Sequence, residues 1–141
     1  MPAIFRHHHQ VLESEIDELE HANNAAYVNW MQAAAIAHSS AQGWPTPRYR
    51  QASYAWVARS HRIEYLQPAF RRDDVVVRTW VADMQRASSL RKYEIVRKAD
   101  AALLARAETR WVFVDLNTRK PIRIPLEVRK DFVVVTDGHG S

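Results

Sequence analysis

Asn23-Asn24-Ala25-Ala26-Tyr27-Val28-Asn29-Trp30-Met31-Gln32-Ala33-Ala34-Ala35-Ile36-Ala37 is the stretch that decides the fold. An Asn side chain can accept a hydrogen bond from the first free N–H groups of a helix, so a helix should begin at this Asn pair. Gly43 and Pro45 then stop it. Apolar residues run nearly all the way round, which predicts a buried helix rather than a surface one. The alanines would let other backbone approach closely.

Downstream the character changes. Ser53 to Leu66, Asp74 to Met84, Leu90 to Arg97 and Leu103 to Leu116 are rich in Val, Trp, Tyr and Thr. In the last of these, Leu103, Ala105, Ala107, Thr109, Trp111 and Phe113 alternate with Arg106, Glu108 and Arg110. Period-two alternation predicts antiparallel strands with one covered face. Pro68, Asp73-Asp74, Gln85 to Ala87 and Asp100 supply the turns. Upstream, Ile4 to Leu12 reads as a first strand, and Leu126 to Phe132 as a short irregular or helical tail. Only the sheet can cover the helix. The expected class is therefore α+β, a long antiparallel sheet wrapped around one central helix, in a single domain over 1–141.

Composition bounds the chemistry. With 141 residues the chain suits one core, and 47% hydrophobic against 26% charged residues argues against disorder. The absence of Cys excludes disulfides, thiolate nucleophiles and Cys-based zinc sites. Neither a signal-peptide pattern nor a membrane-length apolar run is evident, which leads to the expectation of a cytoplasmic protein. The net charge of +4 favours anionic ligands, a phosphorylated small molecule or nucleic acid.

His7-His8-His9 invites a metal reading, since His7 and His9 share a face of a strand. Lacking spaced partner ligands, it reads better as an exposed polar strand, and no metal site is expected. Trp56, Trp80 and Trp111 lie in alternating strands, where burial or a subunit interface is the ordinary explanation.

Just before the helix stands Glu15-Ile16-Asp17-Glu18-Leu19-Glu20-His21-Ala22-Asn23-Asn24-Ala25-Ala26-Tyr27. Acidic residues suit a helix start on dipole grounds alone. The segment also resembles the active-site stretch of the hotdog-fold thioesterases related to 4-hydroxybenzoyl-CoA thioesterase and the acyl-ACP thioesterases, Asp-x-Asp-x-x-Gly-His-Val-Asn-Asn-x-x-Tyr. Asp17, His21, Asn23, Asn24 and Tyr27 fall on its spacing, and Tyr65-Leu66-Gln67-Pro68-Ala69 is similar to a later family segment. Glu15 replaces the first Asp, Glu20 the Gly, and Arg72-Asp73 a Gly-Asp turn.

The resemblance implies a hotdog fold and hydrolysis of an acyl-CoA or acyl-ACP thioester. No cofactor is implied beyond coenzyme A as part of the substrate. Asp17 would be general base or nucleophile, His21 would orient or polarise the carbonyl, and Asn24 would support the loop. Tyr27, Ser88, Ser89 and Arg91 would contact substrate, the last three at the nucleotide. A homodimer or homotetramer is implied as well. Chemistry agrees with the assignment, because hydrolysis needs a carboxylate to activate water or attack, and donors to hold the oxyanion. A helix N-terminus supplies such donors. A hotdog hydratase or dehydratase, or a non-catalytic binding module, nucleic-acid binding included, are the competing readings.

Overall fold

The structure, a computed structural model, describes residues 3–136. Five strands form one antiparallel sheet: β1 (Phe5–Gln10), β2 (Tyr54–Tyr65), β3 (Asp74–Met84), β4 (Ser88–Arg97) and β5 (Leu103–Asp115). Their spatial order is β1-β3-β4-β5-β2, so the first two strands in sequence hold the two edges. The register shifts between Ala58 and Ser60 on β2 and between Val81 and Asp83 on β3. Such bulges bend a strand and add twist, which lets a long sheet curl over a helix.

That helix is α1 (Asn24–Ala41), and it packs chiefly on β1 and β3. Asn23 caps it, its side-chain oxygen accepting the Ala26 N–H at 2.8 Å. Ala26, Tyr27, Trp30, Met31, Ala34, Ala35 and His38 are buried, a stripe recurring every three or four residues. They join Val75, Val77, Tyr93, Ile95 and Leu104 of the sheet in the main core. Burying a side chain such as Met31 is worth about 1.5–3 kcal/mol. Ala34 is fully buried as well. A larger side chain there would push α1 off the sheet at a cost of about 1–3 kcal/mol.

Two expectations need correction. Burial of α1 on all sides does not hold in the protomer, where Asn29, Ala33 and Ile36 are exposed. One sheet covers one face of the helix and leaves the other open. The histidine run is not simply an exposed strand either. Phe5, His7 and His9 turn inward while Arg6, His8 and Gln10 turn out. Phe5 stacks on His38, their rings 5.2 Å apart, and His9 lies 5.3 Å from the Trp30 ring. As expected, α1 ends at Ala41, just before Gly43 with its φ of 99° and Pro45, but a further helical turn follows that the sequence reading did not include. Thr46–Gln51 forms a short helix, α2, with Pro47 in its first turn, where the missing N–H is harmless.

A second, smaller core gathers Trp44, Tyr49, Phe113, Ile124 and Val128 at the far end of α1. The last of these belongs to α3 (Leu126–Arg129), within the expected tail. Among the described residues, no helix is long and apolar enough to cross a membrane.

Candidate active site

Asp17 opens a tight hairpin. Its amide donates to the His21 carbonyl at 3.0 Å, and the Glu20 amide donates back to the Asp17 carbonyl at 3.0 Å. Ile16 and Ala22 pair just outside these bonds. Glu20 takes a left-handed backbone, with φ of 66°. That residue closes a three-residue loop ending in a bulge, a place that favours Gly because a Cβ is strained there. Here is the reason the family motif carries Gly at this position. Glu20 accepts the strain.

A second turn lies alongside. The Asp73 amide donates to the Phe70 carbonyl at 3.0 Å, and Arg72 at the third position has φ of 66°. This too is a position for Gly. The turns are stitched together: Ala22 N–H donates to the Ala69 carbonyl at 2.8 Å, and His21 pairs with Phe70. Arg71 bonds the carboxylates of both Glu13 and Glu20. The departures from the motif thus keep its backbone shape and add an ion-pair bracket across it.

Glu15, in a single 3-10 turn (Glu13–Glu15), braces the hairpin against α1. Its carboxylate accepts from the Leu12 amide at 2.8 Å, from Trp30 Nε1 at 2.9 Å, and meets His9 Nε2 at 2.9 Å. Burial works against its charge, but these hydrogen bonds outweigh burial and hold the carboxyl below its ordinary value. The Glu15 carbonyl accepts from the Asn23 amide at 2.8 Å and from Asn23 Nδ2 at 3.0 Å. The hairpin therefore sits against the mouth of α1.

The Asp17 side chain is 35% exposed, neither buried nor free in solvent. Its Oδ1 accepts the Leu19 amide at 2.8 Å and lies 4.0 Å from His21 Nδ1. His21 is edge-on to Phe70, with ring centroids 6.5 Å apart. At the helix mouth Asn23 engages the Ala26 amide, so the Asn24 and Ala25 amides remain as donors beyond the first turn's own bonds.

The other expected site residues disperse. Support of the loop falls to Asn23 and not to Asn24, whose side chain is exposed at the first helical position. Tyr27 is 2% exposed, and its hydroxyl accepts the Ala69 amide at 3.1 Å. It clamps the Pro68-Ala69 turn to α1, a structural role in place of the open position a substrate contact would have. Ser88, Ser89 and Arg91 do not form one nucleotide site. Strand alternation sends Ser88 to the outer face of β4 and Ser89 and Arg91 to the inner face. Ser89 is buried with its Oγ donating to the Asp83 carbonyl at 2.7 Å, and Arg91 is buried beside His38. Ser88 instead lines an outer recess of about 480 Å³ with Arg59, Ser60, Arg62 and Arg110. No sequence motif marks these cations, and Arg110 among them already has a partner in Asp83, 2.9 Å away. Among the described residues, no three His, Cys, Asp or Glu side chains gather as a metal ion would require.

The chain belongs to the Thioesterase-like superfamily, whose family model matches residues 11–132. The fold is that of the hotdog thioesterases. A 1,4-dihydroxy-2-naphthoyl-CoA thioesterase from Synechocystis superposes with a TM-score of 0.83 at 21% identity, over 91% of this chain and 94% of that one. A DHNA-CoA thioesterase from Staphylococcus aureus gives 0.81 at 22% identity, over 85% and 80%. In sequence, the chain is 29% identical over 113 residues to the chloroplastic oleoyl-acyl carrier protein thioesterase 2 of Arabidopsis thaliana, covering 75% of this chain and 30% of that protein. The chain spans about a third of the length of the curated relatives it matches.

Proposed function

We propose that this protein is a thioester hydrolase acting on an acyl-CoA, with an acyl-ACP as the close variant. One observation carries the reading. A partly exposed carboxylate, Asp17, is held on a hydrogen-bonded hairpin that the Asn23 cap fastens to the mouth of α1. The Asn24 and Ala25 amides and the positive end of the helix would polarise the thioester carbonyl and stabilise the oxyanion. Asp17 either takes a proton from water as it attacks or attacks the carbonyl itself. In the first route the C–S bond breaks as a C–O bond to water forms. In the second the new C–O bond is to Asp17, and water then cleaves this mixed anhydride to give the free acid and restore the carboxylate. In both, the thiolate leaves and is protonated to the free thiol. His21, beside Asp17, orients the reacting carbonyl.

The reading needs no metal or redox group, since the donor set is carboxylate, imidazole and backbone amide. The phosphates of the carrier suit the recess of Arg59, Arg62 and Ser88 on the outer face, because guanidinium forks match phosphate oxygens. The protomer also leaves β2 as an open edge. Ile36, Val57 and Tyr65 are exposed apolar residues near or on it. Pairing of two such edges would close the sheet into a homodimer, or a tetramer built from two. Sedimentation at micromolar concentration should then give no more than a trace of monomer.

The deciding experiment is free-thiol release from a panel of acyl-CoAs and acyl-ACPs. Release that disappears in Asp17→Asn supports the proposal. No release from any of them by the wild-type chain overturns it.

A further inference from the structure

At the far end of α1 from Asp17 lies a cavity of about 420 Å³, within the range of small-ligand pockets. Its walls come from α1, α2 and the inner face of the sheet. Trp44, Trp56, Trp111, Tyr49 and Phe132 make most of it apolar, and Ile36 stands at its edge. Among the described residues no Asp or Glu lines it, while two cations do: Arg50 exposed and Arg91 inside.

Arg91 is the unusual group. It is 6% exposed. Among the described residues its hydrogen bonds both leave from Nη1, to His38 Nδ1 at 2.8 Å and to Thr79 Oγ1 at 3.1 Å. Both acceptors are uncharged, as Thr always is and as imidazole must be when it accepts. Arg78 and Arg97, also drawn from solvent, pair with carboxylates, those of Glu94 and Asp73. A guanidinium stays protonated in proteins, so its charge must be compensated by something other than proton loss. Burial pulls its affinity for the proton down, and only the phenols of Tyr93 and Tyr49 act the other way. The Nε and Nη2 donors form a fork suited to a carboxylate.

We propose that this cavity binds an apolar organic acid as its monoanion, the carboxylate on the Arg91 fork and the hydrocarbon against the tryptophans. Between Asn24 and His38 the helix rises roughly 20 Å. The ligand is therefore a free acid held apart from the thioester carbon that Asp17 of the same protomer attacks. A medium-length aliphatic or a one- or two-ring aromatic acid fits the volume.

The probe is octanoate, with octanamide as its uncharged counterpart, titrated into the full chain while tryptophan emission is followed. Three of the five Trp residues line the cavity, so occupancy alters the signal directly. Octanoate should bind saturably and roughly tenfold or more tighter than octanamide, the difference expected for a charge-assisted fork. Arg91→Met should abolish that preference, and Asp17→Asn should leave it unchanged. Equal affinity for acid and amide, or no saturable octanoate binding, overturns the proposal. So does an acid preference that survives Arg91→Met or vanishes in Asp17→Asn. The acid–amide comparison on the wild-type chain holds even if Arg91→Met does not fold. No arm requires turnover, so failure here is separate from failure of the hydrolase reading.

Discussion

The Glu20 amide donates to the carbonyl of Asp17 at 3.0 Å while Glu20 itself sits at φ 66°. The proposed reactive carboxylate and a strained residue are thus the two ends of one turn. The geometry of the site is set by backbone that a non-glycine residue tolerates only at a cost.

Asp17→Asn keeps the size of the side chain and its contact with the Leu19 amide. The expected result is an unchanged fold by circular dichroism. Thioester hydrolysis should fall by about 10²- to 10⁴-fold, the range for losing a general base. A variant retaining most of its thiol release would remove Asp17 from the chemistry.

Relief of strain can be tested at the neighbouring turn. Arg72 has the same positive φ but, unlike Glu20, takes no part in the Arg71 bracket. Arg72→Gly should raise unfolding free energy by about 1 kcal/mol. Glu20→Gly should gain less, because it also removes one arm of the ion pair. Chemical denaturation of the two variants gives the comparison, and a loss of stability in Arg72→Gly would contradict the strain argument.

Tyr27→Phe separates a clamp from a substrate contact. Without the hydroxyl the buried Ala69 amide loses its acceptor, which should cost about 1–3 kcal/mol of stability. At temperatures where the variant is folded, kcat/KM should stay within a few-fold of wild type. A large fall in kcat/KM with no change in melting temperature would reverse the assignment.

Acid sensitivity should trace to Glu15. Its carboxyl is held below the ordinary value in the folded chain, so its stabilising contribution is complete above the unfolded value of about 4.3. That contribution is lost as pH falls through the lower folded value. The stability gap between wild type and Glu15→Gln should therefore be widest near neutrality and shrink below about pH 4. A gap that is constant with pH would mean that the charge of Glu15 contributes nothing.

The parts of the fold written as periodicity were legible. Asn23 marked the start of α1 because a capping side chain must sit there, and four long strands fell within a residue or two of their observed limits. Features that depend on the third dimension were not. The expected strand began at Leu90, two residues inside β4, so the alternation that parts Ser88 from Ser89 and Arg91 went unread. Pro45 and Pro47 signal a break from one side and a helix start from the other, and both apply, since α1 ends at Ala41 and α2 begins at Thr46. A left-handed Glu20 gives no local signal, since only Gly advertises that conformation. Residues of the Asp17 hairpin were found through the motif, whereas the bracket made by Arg71 needed the two turns side by side.

The length of α1 has a practical consequence. It acts as a rigid spacer of roughly 20 Å between the hairpin that carries Asp17 and the guanidinium of Arg91. Redesign at one end can proceed without disturbing the other: the tryptophan-lined chamber can be recut for a different acid while the apparatus at the helix mouth keeps its shape.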